Sequence, residues 1–417
     1  MNIKTDFLTS ALMAMAVLSS FSANAGGFQI DAFSAAGLGR AFSGEGALAD
    51  SPASASKNPA TLMMFARPAI AFGVLGAIGN TSISGDAPAG SNIAGSRGWV
   101  PNLHYVYPID RRFAIGGSVT SNYGWSSELN DSRKKGKTAV ATMNINLSGA
   151  YRLSRHFSFG LGIDAVYAKG KAETYAGRGS DKLGIPDNAL LGSISDAPWG
   201  YGWNAGILYE VNESNRFGLT YRSEVNLDFN GEYKSDIPSR LNLEQASTGL
   251  LWGTDGYPIH GSLPISLPET WELSGYHKVA PLWAVHYSLA YTSWSRFPEL
   301  KATGRDGQAL FKRPERFQDA YRLALGATYF YNDHWSFRTG IAFDESPVPA
   351  RYNSVYTPSQ NRIYLSAGTR YAFDKRSSVD LGVSYARGQS AMIEDGASAF
   401  RITTQAWLFG TNLNYDF

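Results

Sequence analysis

After residue 25 the chain has no apolar run long enough to cross a bilayer as a helix, yet most of it alternates apolar and polar residues with a period of two. From 143 to 151 the odd positions read Met, Ile, Leu, Gly, Tyr, set against Asn144, Asn146, Ser148 and Ala150. The stretches 157–167, 201–209 and 217–229 repeat the pattern. Successive side chains on a strand point to opposite faces, so each segment carries one greasy face and one polar face. Without a spanning helix, membrane residence requires strands whose backbone groups are satisfied by closure into a barrel.

Soluble sandwiches alternate too, and three features separate the cases. The alternating segments number fourteen, an even count of the kind single-chain bacterial barrels have. Their connections alternate in length. Short ones fall at 110–112, 154–156, 212–215, 279–281, 332–334 and 374–376; long ones at about 81–98, 125–139, 170–197, 230–266, 295–318, 345–360 and 388–404. Six short turns at one mouth and seven long loops at the other suit fourteen strands whose ends share a side. Aromatic residues also gather near segment ends (Trp99, Tyr107, Tyr151, Tyr167, Tyr209, Trp335, Tyr371), where interfacial girdles sit. The final strand ends in Phe417 and resembles the signal that outer-membrane proteins present to their assembly machinery. The expected fold is all-β, a 14-stranded antiparallel transmembrane β-barrel in the outer membrane of a Gram-negative bacterium.

Residues 1–25 read as a secretory signal peptide: basic Lys4, a largely apolar stretch at 7–21, and the small-x-small site Ala23-Asn24-Ala25. Residues 26–67 lack alternation and are rich in Gly, Ala and Ser. They are too long for a simple lead-in, and a barrel this wide needs filling or conducts water. They are therefore expected to fold into the lumen as a plug (hatch), leaving 68–417 for the barrel.

Charge is nearly balanced, 37 Lys+Arg against 35 Asp+Glu, which gives no footprint for nucleic acid. Cysteine is absent, which excludes disulfides and thiolate metal sites. The histidines at 104, 156, 260, 277, 286 and 334 show no metal-ligand spacing, and no G-x-S-x-G elbow occurs. No catalytic residue, metal or cofactor is expected. His104 and His286 fall on polar strand faces, where lumenal hydrogen bonding is their plain role. An outer-membrane lipase would need a Ser–His pair facing lipid, and an aqueous porin would need an open, charged lumen.

Gly27-Phe28-Gln29, the run 37–46 (GLGRAFSGEG) and Asn58-Pro59-Ala60 resemble the hatch of the long-chain fatty acid transport family (FadL). The likeness continues at 99–102, 120–124, 146–152, 200–209, 221–224, 286–295 and 346–350, and weakens in the long loops. Within the family it is strongest to the fatty acid importers. The resemblance implies capture of a long-chain fatty acid in a greasy groove between outer loops, then transfer to a lumenal pocket beside the hatch N-terminus. Exit is sideways, through a wall gap near a kinked third strand; one free wall favours a monomer. Other members import neutral hydrophobic molecules such as aromatic hydrocarbons, which is the alternative ligand class.

By position the resemblance puts Phe28 at the pocket and Gly98 and Ser121 at the lateral gap, with Asn58-Pro59-Ala60 holding the hatch against the kink. Two basic positions of the family fall at Thr174, next to Tyr175, and near Gln318, neither of them charged. Lys169 or Lys171 on one side, and Lys312, Arg313 or Arg316 on the other, are the cations available for a carboxylate. Their plainer reading is a solvated loop charge or a contact to lipopolysaccharide. Phe28 has a plainer reading as plug core, and Gly98 and Ser121 as ordinary lumenal small residues. The long loops also suit phage attachment.

Overall fold

A computed structural model describes every residue except 1–26, 32, 86–91, 94–96, 131–134, 178–183, 240–241, 246–248, 354–358 and 396–397. The signal peptide expected at 1–25 lies outside the described residues.

Fourteen strands build the wall: β1 Ala69–Gly85, β2 Arg97–Pro108, β3 Phe113–Thr120, β4 Lys135–Arg152, β5 Phe157–Tyr175, β6 Trp199–Asn212 and β7 Asn215–Arg222 in the first half. The second half is β8 Thr270–Ala280, β9 Trp283–Thr292, β10 Ala320–Phe330, β11 Trp335–Asp344, β12 Arg362–Ala372, β13 Ser377–Gly388 and β14 Ser398–Asp416. Each pairs antiparallel with its neighbours in sequence, and β1 pairs with β14 from Ala69↔Asp416 to Gly85↔Phe400, which closes the sheet. Closure pairs the first strand with the last, so the sheet has no terminal edges, as a hydrocarbon environment demands. The short connections (109–112, 153–156, 213–214, 281–282, 331–334, 373–376) all fall at one mouth, as the spacing predicts.

Side-chain direction separates the barrel from a soluble sandwich. On β5, Phe157, Phe159, Leu161 and Ile163 are 44%, 42%, 58% and 65% exposed, whereas Ser158 and Asp164 are buried. The greasy face is the outer one, an arrangement stable only against lipid. Ring pairs mark two girdles: Tyr167–Trp199 at 5.2 Å and Tyr221–Trp271 at 4.6 Å toward the long loops, Phe113–Tyr151 at 4.8 Å and Trp335–Tyr371 at 4.7 Å toward the turns. Phe417 is exposed, and its N–H donates to the Pro68 carbonyl at 2.9 Å.

The structure departs from the sequence reading along the wall. Wall strands continue into stretches read as loops, β5 to Tyr175 and β4 from Lys135, because their ladders pair with each other along the whole length. The run 217–229 is also two strands rather than one. β7 leaves the ladder after Arg222, and Val225–Lys234 pairs instead with Ile259–Leu267. The period of two is unbroken, but Val225, Leu227 and Phe229 are buried inside, whereas Leu219 on β7 is exposed on the outer face.

The described residues of 27–67 form no wall strand. Their helical turns, Ala35–Leu38, Ser54–Lys57 and the 3₁₀ helix Pro59–Met64, are almost wholly buried against inward-facing wall side chains. Wall glycines admit this backbone: a Cβ at Gly160 would meet Pro59, one at Gly206 would meet Asn58, and one at Gly340 would meet Arg40. Buried charge ties the two parts together. Lys57 and Asp31 of the N-terminal segment close a ring with Arg322 (β10) and Glu272 (β8), cation and carboxylate alternating, with contacts at 2.7–3.3 Å. Arg40, Glu45 and Asp50 connect in the same way to Arg338 (β11) and Asp380 (β13). The two lumenal histidines join in: His104 contacts the Ser56 hydroxyl at 2.7 Å and the Phe33 carbonyl at 3.0 Å, and His286 contacts the Ser43 hydroxyl at 2.7 Å.

Candidate ligand-binding site

The third strand is bent. Thr120 pairs with Asn144 and Gly124 with Ala141, so residues 121–123 face only two residues of β4, a bulge. The N-terminal segment completes the bent stretch. Gln29 bridges Tyr123, the Ile30 N–H donates to the Asn122 carbonyl at 2.7 Å, and the Gly124 N–H donates to the Phe28 carbonyl at 2.9 Å. Because β3 turns inward, its ladder with β2 stops at Leu103↔Val119. Residues 97–102 of β2 pair with β1 alone. Beyond the break Ile93 pairs with Leu129, which bounds the opening on the side of the long loops. Gly98 lies in the stretch paired on one side and Ser121 on the bend opposite it, both buried.

Asn58-Pro59-Ala60 lies elsewhere than the resemblance implied. The Asn58 side chain caps the 3₁₀ helix by accepting from the Ala60 N–H at 3.0 Å. Its amide is thereby free to donate to the carbonyls of Gly46 (2.6 Å) and Ile207 (3.1 Å). These residues therefore sit against β5 and β6, and the contacts at the kink are made by Phe28, Gln29 and Ile30.

Two apolar cavities lie between the N-terminal segment and the long loops. The outer one spans about 870 Å³, part of it open to solvent, among Phe229, Tyr233, Leu251 and Phe311, with Lys171, Thr174, Asp196 and Arg313 among its polar lining. The inner one spans about 620 Å³, likewise partly open to solvent, and is lined by Phe28, Leu267, Phe297, Phe317, Val348 and Glu315. Val140, Phe229, Ile265 and Leu300 line both, so the two adjoin. An apolar chamber with a few convergent polar groups is the usual form of a site for a hydrophobic ligand. Phe28 stands at its floor, edge-on to Trp294 (4.7 Å) and Phe297 (5.7 Å). Such edge-to-face pairs contribute about 0.5–1.5 kcal/mol each beyond the area they bury.

The candidate cations divide. Lys171 lines the outer cavity, half exposed, with Nζ 2.9 Å from Glu173. Arg313 is largely buried, and its Nε and Nη2 both lie 2.6 Å from Glu315 Oε1. Burial pushes the Glu315 carboxyl above the usual range, against the opposing pull of Arg313. Tyr175, at the end of β5, is half-buried and lines neither cavity. Arg316 is exposed, with φ of 49°, and also lines neither. Lys169 and Lys312 are exposed, and Lys312 lies 3.6 Å from Glu299. Sequence reasoning missed Glu315, although Arg313-x-Glu315 puts both side chains on one face of an extended chain. It also missed the aromatic cluster of Trp294, Phe297 and Phe317, which no single period could reveal.

The comparisons agree with this architecture. Residues 15–417 match the family described as outer membrane protein transport protein (OMPP1/FadL/TodX). The chain is 49% identical, over the full length of both, to the long-chain fatty acid transport protein of Escherichia coli O6:H1. Its fold is similar to a crystal structure of a Pseudomonas aeruginosa FadL homologue, with a TM-score of 0.82 over 94% of this chain and all of that one, at 21% identity. It is also similar to the P. putida toluene transporter TodX, with a TM-score of 0.67 over 87% and 94% of the two chains, at 16% identity. The chain belongs to the OMPP1/FadL/TodX family of outer-membrane transport proteins and has its place in the Gram-negative outer membrane.

Proposed function

We propose that the protein imports long-chain fatty acids across the outer membrane. The observation that carries this reading is the pair of adjoining apolar cavities above a lumen filled by the N-terminal segment. A water-filled pore offers a fatty tail no favourable surroundings, whereas burial in such chambers contributes roughly 25 cal/mol per Å² of apolar surface. The fatty acid enters the outer cavity with its carboxylate near Lys171 or Arg313 and Thr174, then passes to the inner cavity beside Phe28. Residues 26–67 act as a hatch whose start, bound to the bent strand, shifts to let the ligand leave. It departs between β2 and β3, past Gly98 and Ser121, into the membrane. Lateral exit requires that stretch of wall to be free, which favours a monomer. Phe417 serves recognition by the assembly machinery, and the outer loops contact lipopolysaccharide.

A second reading, import of neutral apolar molecules such as aromatic hydrocarbons, draws on one observation: Arg313 already has Glu315 as counter-ion. Uptake of oleate and of toluene by cells lacking their own importer, with and without this protein, separates the two. Oleate rescue supports the first reading; toluene uptake without oleate uptake overturns it in favour of the second.

A further inference from the structure

The Arg313–Glu315 pair belongs to both cavities at once: Arg313 lines the outer one and Glu315 the inner one. Both side chains are buried, at 11% and 2% exposure, and the guanidinium meets a single carboxylate oxygen through two nitrogens at 2.6 Å. Glu315 is the one charged side chain among the described lining of the inner cavity. Around the outer cavity the charged neighbours are Lys171 and Asp196. Lys171 is engaged by Glu173, and Asp196 accepts from the Asn230 N–H at 2.7 Å. The charged loop neighbours Lys312 and Arg316 face outward.

We propose that Glu315 is a resident counter-ion that a ligand carboxylate joins on Arg313, so that each fatty acid anion is captured together with one proton. This rests on the fatty acid reading above. One guanidinium cannot neutralise two carboxylates in an apolar chamber, and an unpaired buried carboxylate is strongly disfavoured. The anion and a proton from water enter together. The proton is shared between the ligand carboxylate and the Glu315 carboxylate, Arg313 keeps its charge, and the site stays neutral. Two carboxyl groups in contact titrate as a pair with one pKa raised, the behaviour expected of such a dyad. The upward push that burial already exerts on Glu315 acts in the same direction. The arrangement makes Glu315 a specificity-determining residue: it accepts the acid with its proton, accepts a neutral ligand without one, and rejects a second unprotonated charge.

The test compares oleate and oleyl alcohol binding to the full-length barrel, with oleate kept below its aggregation threshold, between pH 6.5 and 8.5. Oleate affinity should fall about tenfold per pH unit in the wild type, the slope of one proton taken up. In Glu315→Gln that slope should vanish and affinity at pH 8.5 should rise. Oleyl alcohol should show no slope in either protein. If Glu315→Gln does not assemble, calorimetry of the wild type in buffers of different ionisation enthalpy should report one proton taken up per oleate. Tight oleate binding with no pH slope and no proton uptake would overturn the counter-ion role and leave fatty acid import standing. Binding of oleyl alcohol alone would overturn the fatty acid reading itself.

Discussion

The lower lumen and the upper chambers of this barrel are built on opposite plans. Below, the N-terminal segment meets the wall through directional contacts. These are the ring of Lys57, Asp31, Glu272 and Arg322, the two histidines, and glycines that leave no room for a side chain. Above, Phe229, Ile265, Leu300 and Phe317 enclose space with surface that has no preferred direction. Polar networks in low dielectric are demanding about geometry, whereas apolar walls tolerate many ligand shapes. One lumen thus holds a fixed seat and an adaptable chamber. The join between them is the short stretch Phe28–Asp31, where Phe28 faces the chamber, Gln29 and Ile30 complete the bent third strand, and Asp31 enters the ion ring.

Removing one member of the ring should break the contrast most severely. Glu272→Ala leaves Lys57 and Arg322 with only Asp31 between them. An uncompensated buried charge of this kind costs about 3–5 kcal/mol, which should appear as a lower urea midpoint for the barrel in lipid. Gly206→Val forces a side chain into Asn58. Overpacking of this kind costs about 1–3 kcal/mol, and protease sensitivity of the N-terminal segment should rise while the wall persists. Phe28→Ala acts on the chamber instead. Losing the burial of one aromatic ring should weaken oleate binding about tenfold or somewhat more, and the lost ring contacts should lower the urea midpoint less than Glu272→Ala does. Equal effects of Glu272→Ala and Phe28→Ala on both readouts would erase the distinction between seat and chamber.

Much of the wall was legible because a single physical rule, opposite faces on alternate residues, acts on every strand. The same rule misled at 217–229, where the period continues but the strand leaves the wall at Ser223, so the greasy face of Val225, Leu227 and Phe229 turns from lipid to the interior. Alternation records that a face is apolar and not what covers it. The site was less legible, because its members come from distant stretches. Phe28, Glu315 and Val348 come together around the inner cavity, and Thr174 reaches the adjoining outer one, only through the topology. Asn58 was placed at the kink by resemblance and sits at β6, since its cap on Pro59–Met64 aims the amide at Gly46 and Ile207.

Lateral departure of the ligand between β2 and β3 is tested most directly by obstructing that stretch of the wall. Oleate uptake would be measured in cells lacking their own importer and expressing equal surface amounts of wild type, Gly98→Glu or Ser121→Trp. A control, Leu161→Trp, would stand on the lipid face of β5, where Leu161 is 58% exposed. Uptake lost in the two variants at the opening and kept in the wild type and the control is the predicted result. Uptake at the wild-type rate with Gly98 or Ser121 replaced, in a folded barrel, would contradict lateral release and send the ligand straight down the lumen instead.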